Sequence, residues 1–332
     1  MRRPVLLLLA SLLLAGCGGD GGSSKDPVQQ VPSAARDKVQ AAQNVDVSAF
    51  PKPDGRSLEE LSSQFDTQGP QAGMASSVFR TGKNRLAFGV IDENLRFVYG
   101  KTVVYLQDAT GKPTGPFPAP ADVLLTEPRY RSKQAATEKD PFVAVYEAQV
   151  DLPRTGVWKA LIVSDVGGGR KIAAGVDFKV TRPSQDRIPD IGEPAPKVAT
   201  DTIASAKGNV ELVDTRIPAA RELHDESFAD VVGKKPVALL FATPQLCQSR
   251  VCGPVVDEML QMKARYGDRM TFIHQEVYRD NVVAKGLRQP LQRFRLQTEP
   301  WLFVVGADGR ITARLEGSFG LRAFENAVKT GL

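Results

Sequence analysis

Two cysteines with four residues between them, Cys247 and Cys252, lie in the run KPVALLFATPQLCQSRVCGPVV from Lys235 to Val256. Thiols this close can form a reversible disulfide, attack another disulfide as thiolates, or hold a soft metal ion. Five residues along an α-helix rise about 7.5 Å, beyond the roughly 6.8 Å upper limit of Cα separation for a disulfide. The pair can therefore bridge only across a turn. Arg250 between the cysteines adds positive charge, and a helix N-terminus nearby would favour a thiolate. At least one thiol is expected to be reactive.

The elements that must position this pair are legible on either side of it. Val237 to Phe241 is a continuous apolar run bounded by Lys-Pro and Thr-Pro, the pattern of a strand buried on both faces. Gly253 and Pro254 fit an N-cap and first-turn pair, and Val255, Val256, Met259, Leu260 and Tyr266 recur at helical spacing until Gly267 offers a stop. Cys247 then belongs to the loop above the C-terminal end of a strand, and Cys252 to the residues just before a helix.

LLFATPQLC followed by CGPVVDEM resembles the active-site region of thioredoxin-like thiol:disulfide oxidoreductases of the TlpA type. IGEPAP at Ile191 to Pro196 and the LHDESFADVVGKKPV run resemble the lead-in of that family, and Thr298-Glu299-Pro300-Trp301 matches its cis-proline position. The resemblance covers roughly the last 140 residues. It implies a thioredoxin-like fold, a catalytic pair Cys247 and Cys252, and Pro300 as a cis proline facing them. The chain also departs from the family. Cys-x-x-Cys is Cys-x-x-x-x-Cys here, Leu240 stands where thioredoxins carry a buried acid, and Glu299 precedes the proline in place of Thr or Val.

At the start, Met1-Arg2-Arg3 is a basic segment, and Val5 to Ala15 is an apolar stretch too short to span a bilayer as a permanent helix. Leu14-Ala15-Gly16-Cys17 then resembles the lipobox of bacterial lipoprotein signal peptides. That resemblance implies cleavage after residue 16, lipidation of Cys17, with palmitate among the attached chains, and an exported protein anchored to the outer face of the cytoplasmic membrane. An ordinary secretory signal is the competing reading. With one of the three cysteines assigned to lipid, a single pair remains, and in an exported chain it meets an oxidising environment. A six-residue loop contributes little as a structural staple.

A net charge of +5, or +3 once Arg2 and Arg3 are taken off, is too mild to argue for nucleic acid. The 332 residues suggest two domains plus linkers. Residues 17–75, rich in Pro, Gly, Ser, Gln and Asp, read as a flexible tether with one short helix near Leu58 to Phe65. From 76 to 182 the period changes to two. Tyr146, Ala148, Val150 and Leu152 alternate with polar residues, as do Ile172, Ala174, Val176, Phe178 and Val180. About seven short strands there suggest an all-β, immunoglobulin-like sandwich. It faintly resembles the small exported CopC and YtkA sandwiches, without the His or Met cluster that carries their copper chemistry, and its expected role is a spacer or partner-binding module. Residues 183–209, with four prolines, read as linker and lead-in. Residues 210–332 read as the α/β thioredoxin-like domain: strand Val210 to Val213, helix Ser227 to Val231, strand Val237 to Phe241, helix Val255 to Tyr266, strand Met270 to Val277, helical stretch Asn281 to Phe294, strand Trp301 to Val305, an Asp308-Gly309 turn, strand Ile311 to Glu316 and helix Leu321 to Lys329.

The resemblance favours Cys247 as the attacking thiolate, whereas local helix geometry could favour Cys252, and both assignments stay open at this stage. Glu299 would oppose thiolate formation if charged and close, or else be a solvated rim residue. Trp301 reads as core. His274 could join two thiolates as a metal ligand in the manner of SCO-type copper chaperones, but neither the cysteine spacing nor the histidine position matches them, and no metal or other cofactor is called for. Peroxide reduction lacks its threonine, since Pro244 stands three residues before Cys247. The sequence thus points to thiol:disulfide exchange on protein thiols or disulfides outside the cytoplasm. Its alternatives are a non-catalytic scaffold lipoprotein with a structural disulfide and a copper metallochaperone.

Overall fold

A computed structural model describes residues 26–135, 142–247 and 252–332. The signal-like segment and Cys17 lie outside the described residues. The first part of the chain carries helices α1 (Ser33–Ala42) and α2 (Leu58–Ser62) and strands β1 (Gln71–Met74), β2 (Phe79–Arg80), β3 (Gly82–Ile91), β4 (Lys101–Gln107), β5 (Pro113–Pro118), β6 (Ala121–Val123), β7 (Ala144–Leu152), β8 (Gly156–Gly167) and β9 (Arg170–Thr181). After α3 (Pro183–Asp186) come α4 (Phe228–Val231), β10 (Val237–Phe241), α5 (Cys252–Tyr266), β11 (Thr271–Gln275), α6 (Gln289–Phe294), β12 (Trp301–Val305), β13 (Ile311–Glu316) and α7 (Leu321–Thr330).

β1 to β9 form a sandwich of two sheets, ordered β1-β3-β7-β6 and β2-β9-β8-β4-β5. The period-two residues do what alternation requires. Tyr146, Ala148, Val150 and Leu152 of one sheet share a core with Val104, Leu106, Trp158, Ala160 and Ile162 of the other. The five-stranded sheet is covered on its other face as well, where Val103, Tyr105, Leu161 and Val163 pack against Phe50 and Leu61.

This packing corrects the reading of 17–75 as a flexible tether. From residue 26 the segment is folded, and Val28, Val31, Val39 and Ala42 are buried in the sandwich core. Composition misleads here because a few well-spaced apolar residues suffice when a preformed sheet receives them. Strand Val210 to Val213 is also corrected. Val210–Leu212 is a 3₁₀ turn whose Asn209 side chain accepts the Glu211 N–H, and Leu212 is exposed. Further on, α6 starts only at Gln289, with Pro290 in its first turn, rather than at Asn281.

The third sheet, that of the second unit, runs β11-β10-β12-β13. β10 pairs parallel with β11 and antiparallel with β12, and β12 pairs antiparallel with β13. In order of appearance these are strands 2-1-3-4, joined by a crossover helix and a hairpin, the thioredoxin-like arrangement that the motif implies. Every residue of β10, β11 and β12 is buried, because helices cover both faces. The segment 183–209 is pinned to this unit, with Ile188 and Val198 in its core.

The two units are docked against each other. Arg85 of β3 donates to the carbonyls of Ser318 and Glu316, and both Asp122 carboxylate oxygens accept N–H groups at the start of α7, from Arg322 at 3.0 Å and Ala323 at 2.8 Å. Gly317, at φ +74°, lies so close to the Ala75 carbonyl that a Cβ there would collide with it. The sandwich is part of the structure around the third sheet.

Candidate active site

β10 ends at Phe241, and Ala242 and Thr243 continue it, fully buried. The Thr243 carbonyl accepts the N–H groups of Leu246 and Cys247, which turns the chain and leaves Cys247 partly exposed at the strand's C-terminal end. Cys252, fully buried, opens α5. Two thiols are thus held within hydrogen-bonding reach of each other at a helix N-terminus. They are not equivalent. Burial pushes the Cys252 thiol well up, and the neighbouring Cys247 and Glu299 push the same way against the pull of the Thr243 backbone amide. Of the two, Cys247 is the partly exposed one.

Opposite the pair, the Glu299–Pro300 peptide is cis, and Trp301 opens β12 with its indole N–H donating to Thr298 Oγ1 at 3.0 Å. Trp301 is core, paired in register with Phe241. Glu299 lies beside the thiols instead of on a solvated rim. Burial and the Cys247 charge raise its carboxyl, while Tyr278, 3.5 Å away, pulls it down. A carboxyl raised in this way opposes a thiolate at Cys247 less than one at its ordinary value would.

The sandwich forms one wall of the site. Ser132 donates its N–H and hydroxyl to Asp257 Oδ2 on α5, at 2.9 and 3.1 Å. Arg216 pairs with Asp257 Oδ1 at 2.8 Å and donates to the Tyr130 carbonyl. Burial pushes Asp257 up to about 6 against the pull of Arg216 and Ser132. Gln134 lies over Gly253, where an added Cβ would sit 2.7 Å from Gln134 Cβ and from its carbonyl oxygen. Gly253→Ala is therefore expected to lift the 132–135 segment off α5. The check is a severalfold faster alkylation of Cys252 by iodoacetamide in the reduced protein at unchanged secondary structure; an unchanged rate would mean the segment does not guard this thiol.

Several polar groups here gave no sequence signal as a site. Glu258 on α5 is fully buried, and neither of its oxygens has a hydrogen-bond partner among the described residues. Glu276 accepts the N–H and hydroxyl of Thr215, both at 2.7 Å, and burial lifts its carboxyl to about 7. Leu240 itself packs in an apolar cluster with Cys252, Val255 and Val256. His274, in register with Leu240, does not join the thiols. Its ligand atom lies with those of His224 and Asp214, all within 4.8 Å of one another. The sequence offers His274 as a possible ligand beside the thiols, and gives no sign that Asp214 and His224 are the groups it meets.

No protein-family model matches the chain, and no curated protein matches it. Among solved structures, it is similar to a protein described as thiol:disulfide interchange protein DsbE from Chlorobium tepidum, at 15% identity and a TM-score of 0.31 over 43% of this chain and 98% of that one. A thiol:disulfide interchange protein of the thioredoxin family from Chlorobium tepidum TLS gives 17% identity and 0.31, over 43% and 97%. A DUF4426 family protein from Pseudomonas aeruginosa PAO1 gives 11% and 0.21, over 30% and 67%. Likenesses at these scores add nothing to the strand order and register, which establish the thioredoxin-like arrangement by themselves.

Proposed function

We propose that the chain exchanges disulfides with protein partners outside the cytoplasm, through Cys247 and Cys252, from a lipid anchor at Cys17 on the outer face of the cytoplasmic membrane. The observation that carries this reading is the asymmetry of the pair, a reachable Cys247 ahead of a buried Cys252, at a helix N-terminus and across from Pro300. In the reducing direction the Cys247 thiolate attacks one sulfur of a partner disulfide, and the partner's other sulfur leaves as a thiolate. Cys252 then gives up its proton and attacks the Cys247 sulfur, releasing the second partner thiolate. The partner gains two electrons, and this chain becomes the disulfide. The oxidising direction is the same path reversed. The sandwich, read as immunoglobulin-like, is a fixed wall against which a partner docks. The lipoprotein signal supports export, and among the described residues no helix is long and apolar enough to cross a membrane.

A redox titration of the full chain carrying Cys17→Ser tests the proposal, with the thiols read by alkylation and mass shift against glutathione and dithiothreitol buffers. A potential between about −120 and −270 mV is the expected result, and one well below about −300 mV would leave a structural disulfide and a scaffold.

A further inference from the structure

We propose that Asp214, His224 and His274 form a buried site for a divalent transition-metal ion, separate from the thiol pair. The two histidines are the only ones in the chain, and their ring centroids lie 5.2 Å apart. Asp214 reaches both, with Oδ2 3.5 Å from His224 Nε2 and Oδ1 3.7 Å from His274 Nδ1. Four-coordinate zinc, with bonds of about 2.0–2.1 Å, sets its ligand atoms roughly 3.4 Å apart. Small side-chain movements would close the present triangle onto such an ion.

The hydrogen bonds point the same way. His274 Nε2 lies 3.0 Å from the Ala242 carbonyl and donates to it, so Nδ1, which faces Asp214, is the nitrogen left to hold an ion. Ligand histidines usually anchor their second nitrogen in this manner. The carboxylate is fixed in turn, accepting the Arg216 N–H at 2.9 Å and the Ala220 N–H at 2.5 Å. Yet both nitrogens of His224 and Nδ1 of His274 have no hydrogen-bond partner among the described residues, although the three side chains are 0% exposed. Buried polar atoms are nearly always satisfied, and an ordinary Asp–His hydrogen bond is not made at these distances. The nearby cation does not fill the gap, because the Arg216 guanidinium is engaged with Asp257, Pro218 and Tyr130. Two nitrogens and one carboxylate form a donor set suited to zinc and its neighbours. Ala242, which receives His274, directly precedes the Thr243 that turns the chain into Cys247, so an ion here would stiffen the strand end beneath the thiols.

The test uses the full chain, purified without a histidine tag, with Cys17, Cys247 and Cys252 all replaced by Ser. No thiolate can then bind metal, and the outcome is independent of the exchange reading. One equivalent of Zn²⁺ is expected in competition with a chromophoric chelator, along with a tetrahedral Co²⁺ visible spectrum lacking thiolate charge transfer. Zn²⁺ at a hundred times its Kd should raise Tm by about 5 °C or more. His224→Gln and His274→Gln should each weaken binding at least about a hundredfold. If either variant fails to fold, the stoichiometry, the Co²⁺ spectrum and the Tm shift of the parent still decide. Absence of stoichiometric Zn²⁺ from the serine protein, or equal binding by folded histidine variants, overturns the site.

Discussion

Cys247→Ser is expected to slow disulfide exchange by at least about 10³-fold, and Cys252→Ser to leave partners trapped as mixed disulfides on Cys247. The partly exposed Cys247 sulfur is the one a partner can meet. Cys252 is buried, and its thiol is pushed well up by burial and by its neighbour, so it is a poor first nucleophile. It has one favourable target, the Cys247 sulfur once that sulfur is bonded to a partner. The measurement is turnover on reduced or oxidised insulin for each variant, followed by non-reducing mass analysis of adducts. Adducts on Cys252 in the Cys247→Ser protein would reverse the roles, and their absence from both variants would sink exchange altogether.

The second large effect concerns Glu258. Its side chain is fully buried, with no hydrogen-bond partner for either oxygen among the described residues. Burial pushes its carboxyl well above the ordinary 4.5, the nearby Asp122 and Asp257 push it further, and Arg85 opposes them. An unsatisfied buried polar group costs about 1–3 kcal/mol, so Glu258→Met should stabilise the protein by roughly 2 kcal/mol at pH 8. A carboxyl raised in the folded state holds its proton more tightly folded than unfolded. Its contribution is therefore complete below the unfolded value and is lost as pH climbs through the folded one. Glu276, raised to about 7, and Asp257, raised to about 6, act in the same direction. His274, held down at about 4, opposes them, since its stabilising effect is lost as pH falls from the ordinary 6.5. Through Glu276 stability should therefore decline between pH 6.5 and 8, and Glu258→Met shows whether Glu258 shares in that decline. Urea midpoints at both pH values give the answer, and an undiminished decline in the variant would remove Glu258 as its cause.

Much of the second unit was legible because its signals are local. A continuous apolar run such as Val237–Phe241 has few alternatives to a strand buried on both faces, and Asp308-Gly309 marks its hairpin without help from the rest of the chain. The alternating strands of the sandwich were legible for the same reason. Residues 26–75 were not, because Val28, Val31 and Val39 have no pattern of their own until a sheet is there to bury them. The cysteine pair announced itself by spacing, whereas the two histidines and Asp214 are brought together only by the tertiary fold, from a turn, a strand and a loop. Likewise, nothing in a sequence tells Gly253 that Gln134 will lie on top of it.

Asp122 closes the N-terminus of α7 from a strand that the ribosome completes about 200 residues earlier. The helix cap and the helix it caps thus come from far-separated parts of the described chain, and neither is complete without the other. Contacts of such long sequence separation form late.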